Sequence, residues 1–473
     1  MRTNRRQIAL YVTAAVFSVL FIGMLAYTTW NAWSGRRAMM ANSYNRRQNL
    51  YAKSIVRGSI YAADGTLLAY SELNEAGRQE RFYPFGEAFA HAVGYQAKDK
   101  SGIEAYANYD LLRTSLTIPE RMRYAAEEEL FPGNHVVTTL NARLQQDVYN
   151  LLGDYRGAVI VSEPKTGNIL AMVSNPSFDP SQVEARWEEY TRGGEDGALV
   201  NRVTQGLYPA GSTFKILTTL AYLRSKPADW QNYSYNCYGS FSSAGETIHC
   251  YDSVAHGTID LRTSFALSCN SSFVNLGLAA DRSVFEKTLS GMYFNGALPY
   301  DMVYNQSTTT DPRKADVSDL MQLSIGQGDM LMTPLHMNMI TCAIANGGTL
   351  HELHMLDCVA DAEMNVVERY SPVTVNGLVS AQEAQTLTDM MRAVVTDGTG
   401  IVLADRPYNA AGKTGSAEHT ENRETDSTHA WFTGFAPAEN PEIAVTLILE
   451  NAGSSGSYAV PLARLIMDSY FGY

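Results

Sequence analysis

Uncharged residues run without a break from Gln7 to Gly35, and the later chain has no second run of that length. Within it Ile8–Trp30, wound as a helix at ~1.5 Å per residue, reaches about 34 Å, enough for a hydrocarbon core of about 30 Å. Tyr27, Trp30 and Trp33 would sit at the far interface. The run is long for a cleaved signal, and no convincing small-x-small cleavage site precedes Gly35, so the pattern predicts an uncleaved anchor. Arg2, Arg5 and Arg6 precede it and Arg36, Arg37, Arg46 and Arg47 follow, which leaves its orientation open on charge alone.

Beyond the anchor the period changes. RGSIYAADGTLLAYS (57–71) alternates apolar positions around Asp64-Gly65 and predicts a hairpin. Mixed sequence follows to about residue 133, where the helical stretch IPERMRYAAEEELF leads to FPGNHVV, a turn that reads as a boundary. HVVTTLNARLQQDVYNLL predicts a strand and then a helix, and GAVIVSEPKTGNILAMVS two strands around Pro164-Lys165-Thr166-Gly167. Helical patterns dominate from about 211 to 400, interrupted by loops. Strand-like sequence returns in GKTGSAE and HAWFTGFAPAENPEIAVTLILEN, and YAVPLARLIMDSYF closes as an amphipathic helix. Strands at both ends of a helical middle predict one α+β sheet built from distant parts of the chain.

The 473 residues, 45% of them hydrophobic, suffice for one large domain and one or two smaller ones. The net charge of −13, with no Lys/Arg-rich tract, argues against a nucleic-acid partner. Five cysteines lie at 237, 250, 269, 342 and 358. Cys237 and Cys250 bracket the Gly/Ser-rich loop NCYGSFSSAGETIHC, which a disulfide could close outside the cell. His249 and His256 admit a zinc reading, but the spacing fits no standard finger pattern and no metal is expected. Cys342 reads as a packed helix residue, and HELHM at 351–355 is not H-E-x-x-H.

One apolar run carries an amine that the hydrophobic pattern does not explain. YPAGSTFKILTTL (208–220) places Ser212 and Lys215 three apart, on one face of a helix starting near the serine. A serine needs a neighbouring base to become a nucleophile. A lysine can serve once an apolar setting disfavours its charged form, and Phe214, Ile216 and Leu217 supply that setting. Backbone N–H groups at the helix start would face a developing oxyanion. S-x-x-K alone also describes a helix start with a snorkelling lysine. Two further triplets change the weighing. Ser268-Cys269-Asn270 offers a hydroxyl to relay a proton and an amide to hold a peptide group. Lys413-Thr414-Gly415-Ser416 offers an amine and hydroxyls for a carboxylate, and a glycine that permits close backbone approach. Taken singly, Asn270 could be a cap and Lys413-Thr414-Gly415 a turn.

The three motifs in this order resemble those of the penicillin-binding protein and β-lactamase superfamily. The finer similarity is to class B penicillin-binding proteins, the monofunctional D,D-transpeptidases of peptidoglycan synthesis. It runs over almost the whole chain: RGSIYAADGTLLA resembles the family's N-terminal signature, and GAVIVSEPKTGNILAMVSNPSFDP, NRVTQGLYPAGSTFK, SIGQGDMLMTPLHM, AIANGG and WFTGFAP resemble its transpeptidase landmarks. Ala62 and Ala63 depart from an Asp and Arg frequent in the signature, which puts the local salt links in doubt. Ala210, His336 and Ser416 replace a common proline, glutamine and threonine without removing a catalytic group.

The resemblance implies a transpeptidase domain with a central antiparallel sheet flanked by helices, preceded by one transmembrane helix and a small β-containing pedestal module. The expected division is a cytoplasmic tail at 1–7, the anchor at 8–30, a pedestal or dimerisation-like module at 31–135 and the transpeptidase domain at 136–473. It also implies that the bulk of the chain is extracytoplasmic on a single-pass anchor in the cell membrane. By resemblance Ser212 attacks the penultimate D-Ala of a stem pentapeptide, Lys215 is the base and Ser268 passes the proton to the leaving amine. Asn270 holds the substrate backbone, Lys413 and Thr414 recognise the terminal carboxylate with Ser416 assisting, and the N–H groups of Ser212 and Ser416 form the oxyanion hole. No metal or cofactor is implied. Expected partners are peptidoglycan stem peptides, β-lactam antibiotics and a SEDS-family glycosyltransferase. A β-lactamase would share the motifs but needs neither anchor nor module. A β-lactam sensor would need an output domain that MRTNRRQ has no room for. A scaffold for the glycosyltransferase would not need intact motifs.

Overall fold

The computed structural model describes residues 2–34, 53–192, 197–418 and 428–473. Helix α1 (Arg2–Ser34) contains the one span, Gln7–Asn31, that is long and apolar enough to cross a membrane among the described residues, and none of it is buried against the rest of the chain.

The 57–71 hairpin forms as its alternation predicts. Strands β1 (Ile60–Tyr61) and β2 (Leu67–Leu73) turn at Gly65, whose φ of 83° suits glycine, and β2 continues to β3 (Gln79–Phe82). β1 also pairs in parallel with β4 (His135–Thr138), and β4 pairs with Leu356–Ala360, so one six-stranded sheet draws strands from both sides of residue 135. The FPGNHVV turn is a packed crossing. Phe131–Pro132 pairs in parallel with Ile55–Val56, and a Cβ on Gly133 would lie 2.3 Å from the Leu111 carbonyl oxygen. Salt links in this module are made away from Ala62 and Ala63: buried Glu104 accepts from Arg57 Nε at 2.8 Å and from Arg81 Nε at 2.7 Å. Arg57 also donates to Asn108 at 2.6 Å. Burial pushes the Glu104 carboxyl up, but the two guanidinium charges outweigh it and hold the group below the usual carboxylate range.

Helix α2 (Ala142–Leu152), capped by Asn141 accepting from the Leu144 amide at 3.0 Å, leads to strands β5 (Gly157–Ser162) and β6 (Ile169–Asn175). The helical middle includes α3 (Lys215–Ser225), α4 (Leu261–Ala266), α5 (Asn270–Ala279), α6 (Pro334–Ala345) and α7 (Ala381–Asp397), with further helices between them. Strands β7 (Ala411–Glu418), β8 (Thr428–Ala436) and β9 (Ile443–Leu449) and helix α8 (Ala459–Phe471) complete the chain. The second sheet is antiparallel in the order β7-β8-β9-β5-β6, so strands from the two ends of the domain meet at the β9–β5 pair, with Thr446 opposite Ile160. Both faces are covered. Ala158 and Ile160 point into one core with α6, whereas Val159 and Val161 point into the other with α2 and α8. This explains why the strands read as unbroken apolar runs. Each fully buried aliphatic or aromatic side chain there contributes about 1.5–3 kcal/mol.

The stretch around the 237–250 loop departs from the expected helix-and-loop pattern. Ser240–Ser243 and Glu246–His249 form a hairpin turning at Gly245 (φ 82°), and Ser234–Cys237 pairs with Gly257–Asp260. These strands are four residues each, too short for period-2 alternation to stand out against a Ser/Gly background.

Candidate active site

Ser212 lies in a single 3-10 turn, Gly211–Phe214, and Lys215 opens α3 directly after it. Residues three apart eclipse in 3-10 geometry, so the hydroxyl and the amine leave the backbone on the same side. Helix α3 is buried along Lys215–Leu223, which makes it the central helix of its lobe and takes the Lys215 amine out of water. Ser212 itself is partly exposed.

Three elements converge on the two amines. Lys215 Nζ donates to the Ser268 carbonyl at 2.7 Å and to Asn270 Oδ1 at 2.6 Å, and lies 3.2 Å from Ser268 Oγ. Lys413 Nζ reaches the same Ser268 Oγ at 2.9 Å and donates to the Thr414 carbonyl at 3.1 Å. One hydroxyl therefore bridges two fully buried lysines, and among the described residues neither amine has a carboxylate partner. Burial lowers the Lys215 pKa to about 7, and burial followed by the charge of Lys215 lowers that of Lys413 well below the lysine range. The Lys215 amine stands 5.2 Å from the ring centre of Phe273 and the Lys413 amine 5.6 Å from that of Phe265, so aromatic faces take the place a carboxylate would occupy.

Local backbone geometry aims Ser268. It joins α4 to α5 in the left-handed region at φ 55°, a conformation that costs a non-glycine residue about 1–3 kcal/mol. Asp260 caps α4 by accepting from the Thr263 amide at 2.7 Å, and Cys269 caps α5, its sulfur accepting from the Ser272 amide. Asn270 is thus the first residue of α5 and not its cap. One of its two N–H donors goes to the His249 carbonyl at 2.8 Å, and among the described residues the other has no partner.

Strand β7 is a sheet edge and runs beside the serine turn. A Cβ on Gly211 would lie 2.6 Å from the Ser416 carbonyl oxygen, and one on Gly415 would lie 2.9 Å from the Thr213 amide nitrogen. The close approach that requires glycine at 415 is therefore made by the chain's own serine turn. Thr414 Oγ1 is 2.6 Å from Thr399 Oγ1, and Ser416 Oγ 3.3 Å from Ser455 Oγ. Thr399 is set by the end of α7, where its amide donates to Ala266 of α4. Lys413, expected at the substrate carboxylate, is fully buried, with its amine on Ser268 Oγ and the Thr414 carbonyl. Thr399, Ser455, Phe265 and Phe273 escaped sequence reading. The two phenylalanines sit three residues before Ser268 and three after Asn270, a helical spacing that could have revealed them. A cavity of about 500 Å³, lined by Tyr300, Glu352, Arg369 and Tyr370 among others, lies apart from these groups.

All five cysteines are free thiols. Cys237 and Cys250, expected as a possible disulfide, hold their sulfurs 3.7 Å apart, against about 2.05 Å for a bond. The zinc reading that the spacing failed to support gains ground from the fold, because Cys237, Cys250, His256 and Cys269 bring one donor atom each within 4.8 Å of one another. Cys269 is the middle residue of the Ser268–Asn270 triplet and was absent from the linear reading of that loop.

Residues 157–468 match the penicillin-binding protein transpeptidase domain, and residues 57–126 the penicillin-binding protein A dimerisation domain. Peptidoglycan D,D-transpeptidase PbpA of Mycolicibacterium smegmatis is 31% identical over 98% of this chain and 98% of its own length. Peptidoglycan D,D-transpeptidase MrdA of Acinetobacter baumannii is 28% identical over 82% of this chain and 65% of its own. The penicillin G acyl-enzyme complex of penicillin-binding protein A from M. tuberculosis superposes with a TM-score of 0.79 at 28% identity, covering 88% of this chain and 100% of that one. The D,D-transpeptidase domain of a peptidoglycan glycosyltransferase from Eggerthella lenta gives the same TM-score and identity over 88% and 98%.

Proposed function

The chain belongs to the penicillin-binding protein transpeptidase family, and from that premise we propose the chemistry of its own residues: it is a serine-type peptidoglycan D,D-transpeptidase and a target of β-lactams. The observation that carries the assignment of roles is the convergence of Lys215 Nζ and Lys413 Nζ on Ser268 Oγ beside the Ser212 turn. With a pKa near 7, the Lys215 amine is in good part neutral at neutral pH and takes the Ser212 proton as Oγ attacks the penultimate D-Ala carbonyl. The N–H groups of Ser212 and Ser416 stabilise the oxyanion. The proton passes through Ser268 to the departing D-Ala nitrogen, the scissile C–N bond breaks, and a Ser212 ester remains. An amine from a neighbouring stem peptide then attacks the ester, restores the Ser212 hydroxyl and forms the cross-link.

The free N–H of Asn270 holds the substrate backbone. Thr414 and Ser416, at the edge of β7, hydrogen-bond the terminal carboxylate, and the Lys413 amine, on Ser268 Oγ and the Thr414 carbonyl, supports them and shares in the Ser268 relay. α1 anchors the protein in the cell membrane with residues 31–135 as pedestal module and 136–473 as catalytic domain, both on the extracytoplasmic side. The pedestal, with its dimerisation-domain match, is the surface we assign to a SEDS-family glycosyltransferase partner.

Intact mass after incubation with a penicillin tests this reading. Wild type is expected to carry one drug adduct lasting minutes to hours, and Ser212→Ala none. Absence of an adduct on folded wild type would overturn the catalytic reading. Rapid turnover of a chromogenic cephalosporin would replace it with a β-lactamase.

A further inference from the structure

The cavity of about 500 Å³ lies away from the Ser212 turn and has the size of a small-molecule site, roughly 300–1,000 Å³. Its walls come from residues 298–301, from Glu352 and from residues 368–373, at the end of the edge strand Val366–Arg369 of the six-stranded sheet. A side chamber of about 10 Å³ shares Tyr300, Asp301 and Tyr370 with it and adds Tyr106, the last residue of the helix Gly102–Tyr106 in the N-terminal module. The chamber has room for a single water-sized group. The two spaces therefore lie at the seam between module and catalytic domain.

Negative charge on these walls goes unanswered. Glu352 is 4% exposed, and its carboxylate accepts from Tyr370 Oη and from the Val373 amide, both at 2.9 Å. Asp301 Oδ2 lies 3.3 Å from Tyr106 Oη and 3.4 Å from Tyr370 Oη, and Glu368 is a third carboxylate on the wall. Among the described residues no cation pairs with Glu352 or Asp301. The guanidinium on the wall, Arg369, pairs with Asp357 at 3.4 Å. His354 stacks on Tyr370, but burial lowers its pKa, so the imidazole is neutral at neutral pH and supplies no charge. A buried carboxylate ordinarily has a counter-charge. Tyr300 adds an independent observation: it is 7% exposed, lines both spaces, and its hydroxyl has no hydrogen-bond partner among the described residues. The groups that act on this phenol electrostatically are Tyr106 and Asp301, which places its hydroxyl beside the chamber.

We infer that the cavity binds an organic cation through a primary ammonium group, with the ammonium in the side chamber and its chain in the larger space. An ammonium is water-sized and carries three donors, which match the Asp301 carboxylate and the unpartnered Tyr300 oxygen. The rings of Tyr106, Tyr300 and Tyr370 attract a cation through their faces, and Glu352 supplies further counter-charge. A hard metal ion fits poorly, since it takes about six to eight oxygen ligands and these carboxylates are not grouped as metal ligands are. A neutral sugar would leave both carboxylates unanswered. Tyr106 belongs to the module and Asp301 to the domain, so the ligand fastens the seam and raises the melting temperature of the chain. Two sources share this chemistry: a free polyamine and the lysine side chain of a peptide.

The test titrates the full chain in detergent by calorimetry, with spermidine and, separately, with Nα-acetyl-lysine amide. Saturable one-to-one binding of at least one amine is expected. Spermidine alone would identify a free polyamine as the ligand, and the lysine derivative alone a peptide side chain. The Nε-acetylated lysine derivative, which lacks the charge, should not bind. Glu352→Gln and Asp301→Asn should weaken binding about tenfold or more, and Tyr300→Phe about 3–10-fold. Asp301 is exposed and Tyr300→Phe removes a hydroxyl without a partner, so these two variants should keep the fold, as cooperative melting will show. No saturable binding of either amine by wild type, or equal binding by wild type and all three variants, overturns the site. One-to-one binding of calcium or of a neutral amino-sugar dimer in place of the amines overturns the ligand class. Amine binding that disappears once Ser212 carries a penicillin would place the amine at the serine and overturn the site as well.

Discussion

Two groups of buried cations can be set side by side in this molecule. In the N-terminal module Arg57 and Arg81 close on Glu104, and two guanidinium charges share one buried carboxylate. In the catalytic domain Lys215 and Lys413 close on a serine hydroxyl between two phenylalanine faces, with no carboxylate partner among the described residues. Burial acts on both alike. The paired group keeps its charges and fastens the β1–β3 hairpin region to the helix Gly102–Tyr106. The unpaired group cannot keep both, so at least one amine becomes a base. The presence of one carboxylate separates a structural clasp from a reactive centre.

The largest expected effect breaks the reactive side. Lys215→Met should reduce the penicillin acylation rate about 10²–10⁴-fold, the usual contribution of a positioned base, measured by stopped flow with a fluorescent penicillin. The same variant should melt at a higher temperature than wild type near neutral pH, because it removes a buried amine with no counter-charge. The sign follows from the depressed pKa. Between about 7 and 10 the unfolded lysine holds a proton that the folded one has lost, so wild-type stability rises with pH and the gap to Lys215→Met narrows. A variant that melts lower at neutral pH would contradict the account.

Breaking the clasp should have the converse signature. Glu104→Gln leaves two buried guanidinium groups short of a counter-charge, and should cost about 3–5 kcal/mol in chemical denaturation while the folded fraction acylates at the wild-type rate. Because the Glu104 carboxyl is held below its ordinary range, its stabilisation is complete above that range and is lost as pH falls through it. The variant should therefore lose the part of wild-type acid sensitivity that belongs to this residue. A loss of acylation in the folded variant would join two regions that the structure keeps separate.

The smallest effect sharpens the comparison. The acylation rate of wild type should rise with pH through about 7 and then level off as Lys215 becomes neutral, by about tenfold per unit on the acid side. The groups facing this amine are Ser268, Asn270, Lys413 and, behind them, the thiols of Cys250 and Cys269. Glu104→Gln should leave this profile in place. A flat profile from pH 6 to 9 would remove Lys215 as the base.

Much of this was written locally. The anchor is one uninterrupted run, the 57–71 hairpin carries alternation and the 157–175 hairpin two apolar runs, each with a glycine turn, and Ser212 and Lys215 lie within one helical turn of each other. Such features depend on neighbours a few residues away, and backbone periodicity with turn chemistry encodes them directly.

Tertiary structure decided what depends on distant partners. Ser268 and Lys413, 145 positions apart, share a hydroxyl only because β7 packs beside the serine turn, and Gly415 is needed for that packing. The six-stranded sheet crosses residue 135 because Leu356–Ala360 returns to pair with β4. Cys269 joins Cys237, Cys250 and His256 although no linear spacing announces it, since each ligand ends a different element. Motif and period name the groups able to do chemistry. Only the packing of separately formed elements determines which of them lose water, gain a counter-charge or meet around a common point.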